Sequence, residues 1–176
     1  MKNLKLFCAF ILIFGVAAII PSCKDDDDDD YKMDNQAFVN QAASSNNFEI
    51  AAGNLAKTKG QSTSVQQYGD HMVTDHTAVG AEMMALASSK GWMVPTDLQP
   101  KEQALLNTLD SVSGGTFDLQ FAGIMEASHQ DAVNLFEEAS SRGGVRDADL
   151  RNFAASKLPA LRTHLEEAKT LRTQIE

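Results

Sequence analysis

Cysteine is almost missing from this chain. Of 176 residues only Cys8 and Cys23 carry a thiol, and both precede residue 24. Everything after them can form neither a disulfide nor a thiolate metal site. Positive charge is also scarce, with 15 Lys and Arg against 24 Asp and Glu. Residues 1–30 hold three of the basic and six of the acidic residues, so 12 basic and 18 acidic residues remain beyond them. Phosphate backbones are gripped by clustered Lys and Arg, so this balance argues against a nucleic-acid partner. No alternating apolar and polar run marks a strand, and without a strand no Gly-rich phosphate loop can follow one. The longest apolar run, LFCAFILIFGVAAII, has 15 residues, short of the roughly 20 that span a bilayer.

That run follows Lys2 and Lys5 and has the layout of an exported protein's signal. It ends in Ile20-Pro21-Ser22-Cys23, which resembles the lipobox of bacterial lipoproteins, in which the cysteine is lipidated and becomes the mature N-terminus. Pro21 departs from the small or apolar residue usual there. Residues 1–22 are therefore expected to be a lipoprotein signal peptide, and residues 23–33 an acidic linker after lipidated Cys23. After Lys24, the six aspartates Asp25–Asp30 repel one another into an extended spacer. They also resemble the signal that sends some Gram-negative lipoproteins to the outer face of the outer membrane. The expected location is the cell envelope, with the lipid as the membrane partner.

Residues 34–175 read as helices. Asp34 is an N-cap for a helix to about Lys59, with Phe38, Ala42, Ser45, Phe48, Ala52 and Leu55 as its inward stripe. Thr63 and Gln66 have the spacing of a capping box for a second helix, from Ser64 to Lys90. Its stripe is Val65, Tyr68, Met72, His76, Val79, Met83 and Leu86. Pro100 opens a short helix over 100–111. Ser113-Gly114-Gly115 breaks the chain, and a third long helix runs from about Phe117 to Ser141. Asp147 caps a fourth, to about Gln174, whose Pro159 removes one backbone hydrogen bond. Short loops between apolar stripes predict an all-α, up-down-up-down four-helix bundle with an extra short helix between the second and third long ones.

Four polar groups fall in or beside these stripes. Glu49 lies twelve residues before Gln61, and His76 thirteen after Thr63. Both are thus roughly 18–20 Å from the same turn at about 1.5 Å per residue. His129 and His164 come within one or two turns of that height on the other two long helices. Neutral imidazoles and one carboxylate suit a transition metal such as Fe, Zn or Cu. Asp75 beside His76, and Glu126 three residues before His129, are candidates to orient or supplement these ligands. The competing reading is a buried hydrogen-bonded network that fixes helix register. His71 falls off the stripe and pairs with Asp75 at the i,i+4 spacing, as surface residues do. Ser128 and His129 face differently on one helix, so no nucleophilic pair forms and no catalytic residue is assigned.

The stretches FVNQAASSNNFEIAAGNLA, YGDHMVTDHTAVGAEMMALASSKG, FDLQFAGIMEASHQDAVNLFEEAS and LRNFAASKLPALRTHLEEAK resemble the ferritin-like bacterial family called domain of unknown function 4142. The likeness covers about residues 34–173 and rests on Asp75-His76-Thr77, His129, and Leu158-Pro159 followed by His164. It implies a ferritin-like bundle on an exported protein and no established activity. Paired Glu-x-x-His motifs are absent, since only Glu126 and His129 have that spacing, which argues against iron storage or oxidase work. Two functional expectations stand: a lipid-anchored envelope protein with a non-catalytic binding or stress role, and a metalloprotein using Glu49, His76, His129 and His164. A homodimer along an exposed helix face is a third. The lipid itself has a direct test. In a Gram-negative host, an alkynyl fatty acid should label the full chain and leave Cys23→Ser unlabelled and out of the membrane fraction. Equal labelling of both would rule out Cys23 as the anchor.

Overall fold

A computed structural model describes residues 31–176. The signal, Cys23 and the aspartate run lie outside the described residues. Five helices follow in order: α1 (Asn35–Lys59), α2 (Thr63–Lys90), α3 (Pro100–Asp110), α4 (Gly114–Ser140) and α5 (Ala148–Ile175). The described residues are all-helical apart from connections and one isolated bridge between Met33 and Val145. Lys32 and Met33 donate backbone N–H groups to the carbonyls of Gly143 and Gly144. The chain is therefore pinned to the α4–α5 turn before α1 begins.

The helix starts follow local chemistry. Asp34 accepts from the backbone of Gln36 and Ala37, and Asp147 from Leu150. The expected Thr63–Gln66 capping box is not what starts α2. Ser62 is the N-cap, accepting from Ser64, while the Gln66 side chain donates to the Gly60 carbonyl. The cause is Asp118 of α4, which accepts from the backbone of Gln61 at 2.9 Å and Ser62 at 2.7 Å. That grip holds Ser62 extended and leaves Thr63 already helical. The third long helix likewise starts three residues earlier than Phe117, because Gly114 takes a positive φ of 59° and completes the turn in a single residue. The inward stripe of α1 uses Ser44 and Ala56, which are buried, where Ser45 and Leu55 were expected; these are only partly covered.

Side-chain pairs fix the directions. Asn46 meets His76 and Lys57 meets Asp70, so α1 and α2 are antiparallel. Asp118 at Gln61, Ser128 at Glu49 and Phe136 at Phe38 make α4 antiparallel to α1. Glu137 with Arg162 and Glu126 with Arg172 make α5 antiparallel to α4. The four long helices thus run up, down, down, up, which corrects the expected up-down-up-down order. The short-loop argument failed because residues 91–113 are a climbing connection. Met93 bonds Gln36, Thr96 bonds Asn47, Gln99 and Glu102 bond Ser44, and Asp110 pairs with Lys59. Nine connecting residues and an eleven-residue helix can span up to roughly 45 Å, enough to pass α1, about 37 Å long.

The core has two apolar clusters. One gathers Phe38, Phe136, Leu150, Phe153 and Leu161; the other gathers Phe48, Tyr68, Phe117, Phe121 and Met125. Beside the second cluster α1 and α2 approach so closely that a Cβ on Gly69 would sit 2.6 Å from the Ala56 methyl and 2.8 Å from the Gly53 carbonyl oxygen. Replacing glycine in a free helix would gain up to about 1 kcal/mol. Here Gly69→Ala should cost about 1–3 kcal/mol, as overpacking does. Urea denaturation measures this, and a stabilised variant would contradict the close approach.

Candidate metal centre

The two apolar clusters are separated by a polar layer. On α2, His76 stands between Met72 and Met83. On α4, His129 stands between Met125 and Ala132, and on α5, His164 between Leu161 and Ala168; all nine are buried. Each imidazole takes a place in an apolar stripe at helical spacing, so folding carries it inward. His129 is fully buried and His76 and His164 nearly so. Ring centroids lie 5.8 Å apart for His76–His129, 5.6 Å for His76–His164 and 5.4 Å for His129–His164. One nitrogen from each ring lies within 4.8 Å of the other two.

The surroundings select the tautomers. His76 Nδ1 is 3.1 Å from Asn46 Oδ1, His129 Nδ1 is 2.9 Å from the Met125 carbonyl oxygen, and His164 Nε2 is 3.0 Å from Asp75 Oδ2. All three partners are acceptors, so each of these nitrogens carries its hydrogen. The other three, His76 Nε2, His129 Nε2 and His164 Nδ1, are buried without a hydrogen-bond partner. Three lone pairs are thereby left inside the core. Burial holds His76 well below the ordinary imidazole range, with repulsion from His129, His164 and His71 adding to it. His164 is lowered as well, by burial and then His129, against the pull of Asp75. The neutral ring is the form that ligates a metal.

The expected carboxylate does not join them. Glu49 is 1 % exposed, but its Oε1 lies 4.0 Å from His129 Nδ1, the nitrogen bonded to the Met125 carbonyl, and its Oε2 is buried without a hydrogen-bond partner. Glu49 accepts from the Ser128 hydroxyl on α4, and burial pushes its carboxyl up despite His129 and Ser128. Glu49 therefore backs His129 and is not one of the converging donors. Glu126 points to Arg172 of α5, 3.1 Å away, and does not orient His129. Asp75 does orient an imidazole, but that of His164 across the helix interface and not its neighbour His76. α5 continues through Pro159 without a break, and His164 keeps its height.

Three supporting groups escaped the sequence reading. Asn46 sits one turn from Glu49 on α1, where nothing in the stripe distinguishes it. The Tyr68 hydroxyl donates to the His164 carbonyl at 3.1 Å and lies 3.4 Å from His129 Nδ1. Burial, then Glu49 and Glu167, raises its phenol and keeps the proton on. The Met125 carbonyl belongs to the backbone and leaves no trace in side-chain spacing. A cavity of about 340 Å³, walled by Ile50, Val79, Met83 and Phe136, reaches His76 and His164.

Three imidazoles form a donor set for Zn, Cu or Fe. Atoms no more than 4.8 Å apart share a point within roughly 2.8 Å of each, against Zn–N bonds of about 2.0–2.1 Å. Shifts below an ångström would close the set. Without carboxylates it fits one ion and departs from the two-metal sites of ferritin-like bundles.

Comparison with known proteins gives a family and no activity. The family described as Domain of unknown function (DUF4142) matches residues 21–171, and the chain belongs to it. No curated protein and no solved structure matches. The tautomers are directly observable. Long-range ¹H–¹⁵N spectra of metal-free residues 31–176 near neutral pH should show His76 and His129 protonated at Nδ1 and His164 at Nε2. Any of the three with the opposite pattern would contradict the inward lone pair assigned to it.

Proposed function

We propose that this DUF4142 protein is a lipid-anchored envelope protein whose bundle holds one transition-metal ion on His76, His129 and His164. The observation that carries this reading is the set of three buried, unpartnered nitrogens on rings fixed from behind by Asn46, the Met125 carbonyl and Asp75. Leaving one buried acceptor unsatisfied costs about 1–3 kcal/mol. A register network would be expected to satisfy its own members, as buried polar groups generally are. A metal ion satisfies all three at once. Metal-bound imidazoles characteristically donate their other N–H to a carboxylate, carbonyl or similar acceptor, as each does here. The donor set favours Zn(II) or Cu(II) over a ferritin-type iron pair.

The ferritin-like affiliation belongs to this same reading. It is supported by parallel α2 and α4 joined by one long crossover, a connection found in ferritin-like bundles. The adjoining cavity leaves room for a fourth ligand, so sensing, scavenging and transport fit as well as catalysis. The N-terminal Cys23 and the acidic run would hold the bundle at an envelope membrane.

Residues 31–176, which contain both apolar clusters, should be purified without a histidine tag, loaded with Zn(II), and dialysed against metal-free buffer. One ion per chain should survive dialysis in the parent and none in His76→Ala/His129→Ala. Equal retention by both would sink the reading. Asn46→Ala should keep the helical spectrum and weaken binding about 10–100-fold, the usual effect of losing a hydrogen bond behind a ligand. Unchanged affinity would show that Asn46 does not position His76.

A further inference from the structure

A second group of donor atoms lies on the outward side of His164. Its Nε2 is 3.0 Å from Asp75 Oδ2, and His71 Nε2 is 3.1 Å from the same oxygen. The His71 and His164 rings meet edge to face with centroids 5.1 Å apart. One ligating atom from each of His71, Asp75 and His164 lies within 4.8 Å of the other two. These two separations are close to the ~3.3 Å between neighbouring ligands of a tetrahedral ion with bonds of about 2.0 Å. Glu167 Oε2 stands 3.2 Å from His71 Nδ1 and offers a further carboxylate beside the group.

The place differs from the inner one in access. The side chains of His71 and Asp75 are 42 % and 40 % exposed. An open cleft of about 810 Å³, lined in part by Tyr68, His71 and Glu167, borders His71, while Asp75 and His164 line the 340 Å³ cavity on the other side. An exposed His–Asp pair at i,i+4 spacing is ordinary on a helix. What is not ordinary is a third donor arriving from α5, on a ring whose other nitrogen belongs to the inner group.

We propose that His71, Asp75 and His164 Nε2 form a second, solvent-facing position for a divalent transition-metal ion, through which the bundle meets metal from outside. Two imidazoles and a carboxylate suit Zn(II), Cu(II) or Fe(II) and not the oxygen-seeking Ca(II) or Mg(II). The proton on His164 Nε2 must leave when an ion binds there. It moves to Nδ1 when the inner position is empty, and passes to solvent when an inner ion holds Nδ1. The outer ion has fewer buried ligands and open water, so it is the weaker one and is lost on dialysis. The position depends on the inner-site reading only in sharing His164.

Calorimetric titration with Zn(II) on residues 31–176 separates the two. With the inner donors removed, His76→Ala/His129→Ala should still bind one Zn(II) at equilibrium. Adding His71→Ala to that variant should weaken binding at least tenfold. Zn(II) that fails to bind the double variant, or binds the triple variant equally well, would overturn the outer position. His71→Ala alone should keep the dialysis-resistant ion. If it instead retains none while the double variant binds one, the inner reading fails and the outer one stands. His71 is exposed, so its variant should keep the helical spectrum, and matching circular dichroism of all three variants guards the comparison.

Discussion

The bundle is organised around three imidazoles whose outer nitrogens are occupied and whose inner nitrogens are not. Each ring is held from behind by an acceptor: an amide oxygen of α1, a carbonyl of α4 itself, and a carboxylate of α2. Those acceptors keep the N–H groups outward, so the lone pairs have nowhere to turn. Apolar clusters flank the layer on both sides, and the 340 Å³ cavity reaches it at His76 and His164. Local chemistry and global packing disagree at this one layer and agree nearly everywhere else, which is the expected signature of a functional site.

The rest of the fold serves that layer. Parallel α2 and α4, made possible by the climbing connection along α1, leave each long helix antiparallel to its two main neighbours. Glycines 53 and 69 draw α1 and α2 together within two turns of the layer, and Asp118 ties the α1–α2 turn to α4. Lys90 bridges to Asp147 and Asp149 at the opposite end. Glu49 then has a clear role: a buried carboxyl, bonded to Ser128 and backing His129, contributes polarity to the layer without being one of the converging donors.

Much of this was legible in the sequence, and the failures have physical reasons. The helices, most of their stripes and the meeting of His76, His129 and His164 follow from 3.6-residue periodicity and the rise per residue. Height along a helix is a one-dimensional quantity, and spacing gives it well. Azimuth is not given, which is why Glu49 was expected among the ligands although it reaches His129 from behind. Asp75 and Glu126 were assigned by proximity in the chain, whereas on packed helices both found partners on α5. Helix direction was misjudged because the middle connection, although its short helix was expected, was not given the reach to climb the length of α1. Asn46 and the Met125 carbonyl could be found only after α1 and α4 were placed.

The outer group shows the same limit from the other side. His71 reads as a surface histidine, and its pairing with Asp75 is what the i,i+4 rule gives. Only the packing of α5 against α2 brings His164 to that pair and gives one ring two faces. The most direct measurement is anomalous diffraction at the zinc edge from crystals of residues 31–176 grown with Zn(II). The account expects a peak within bonding distance of His76 Nε2, His129 Nε2 and His164 Nδ1. Anomalous peaks confined to surface carboxylates, with the three rings unchanged and nothing between them, would contradict it.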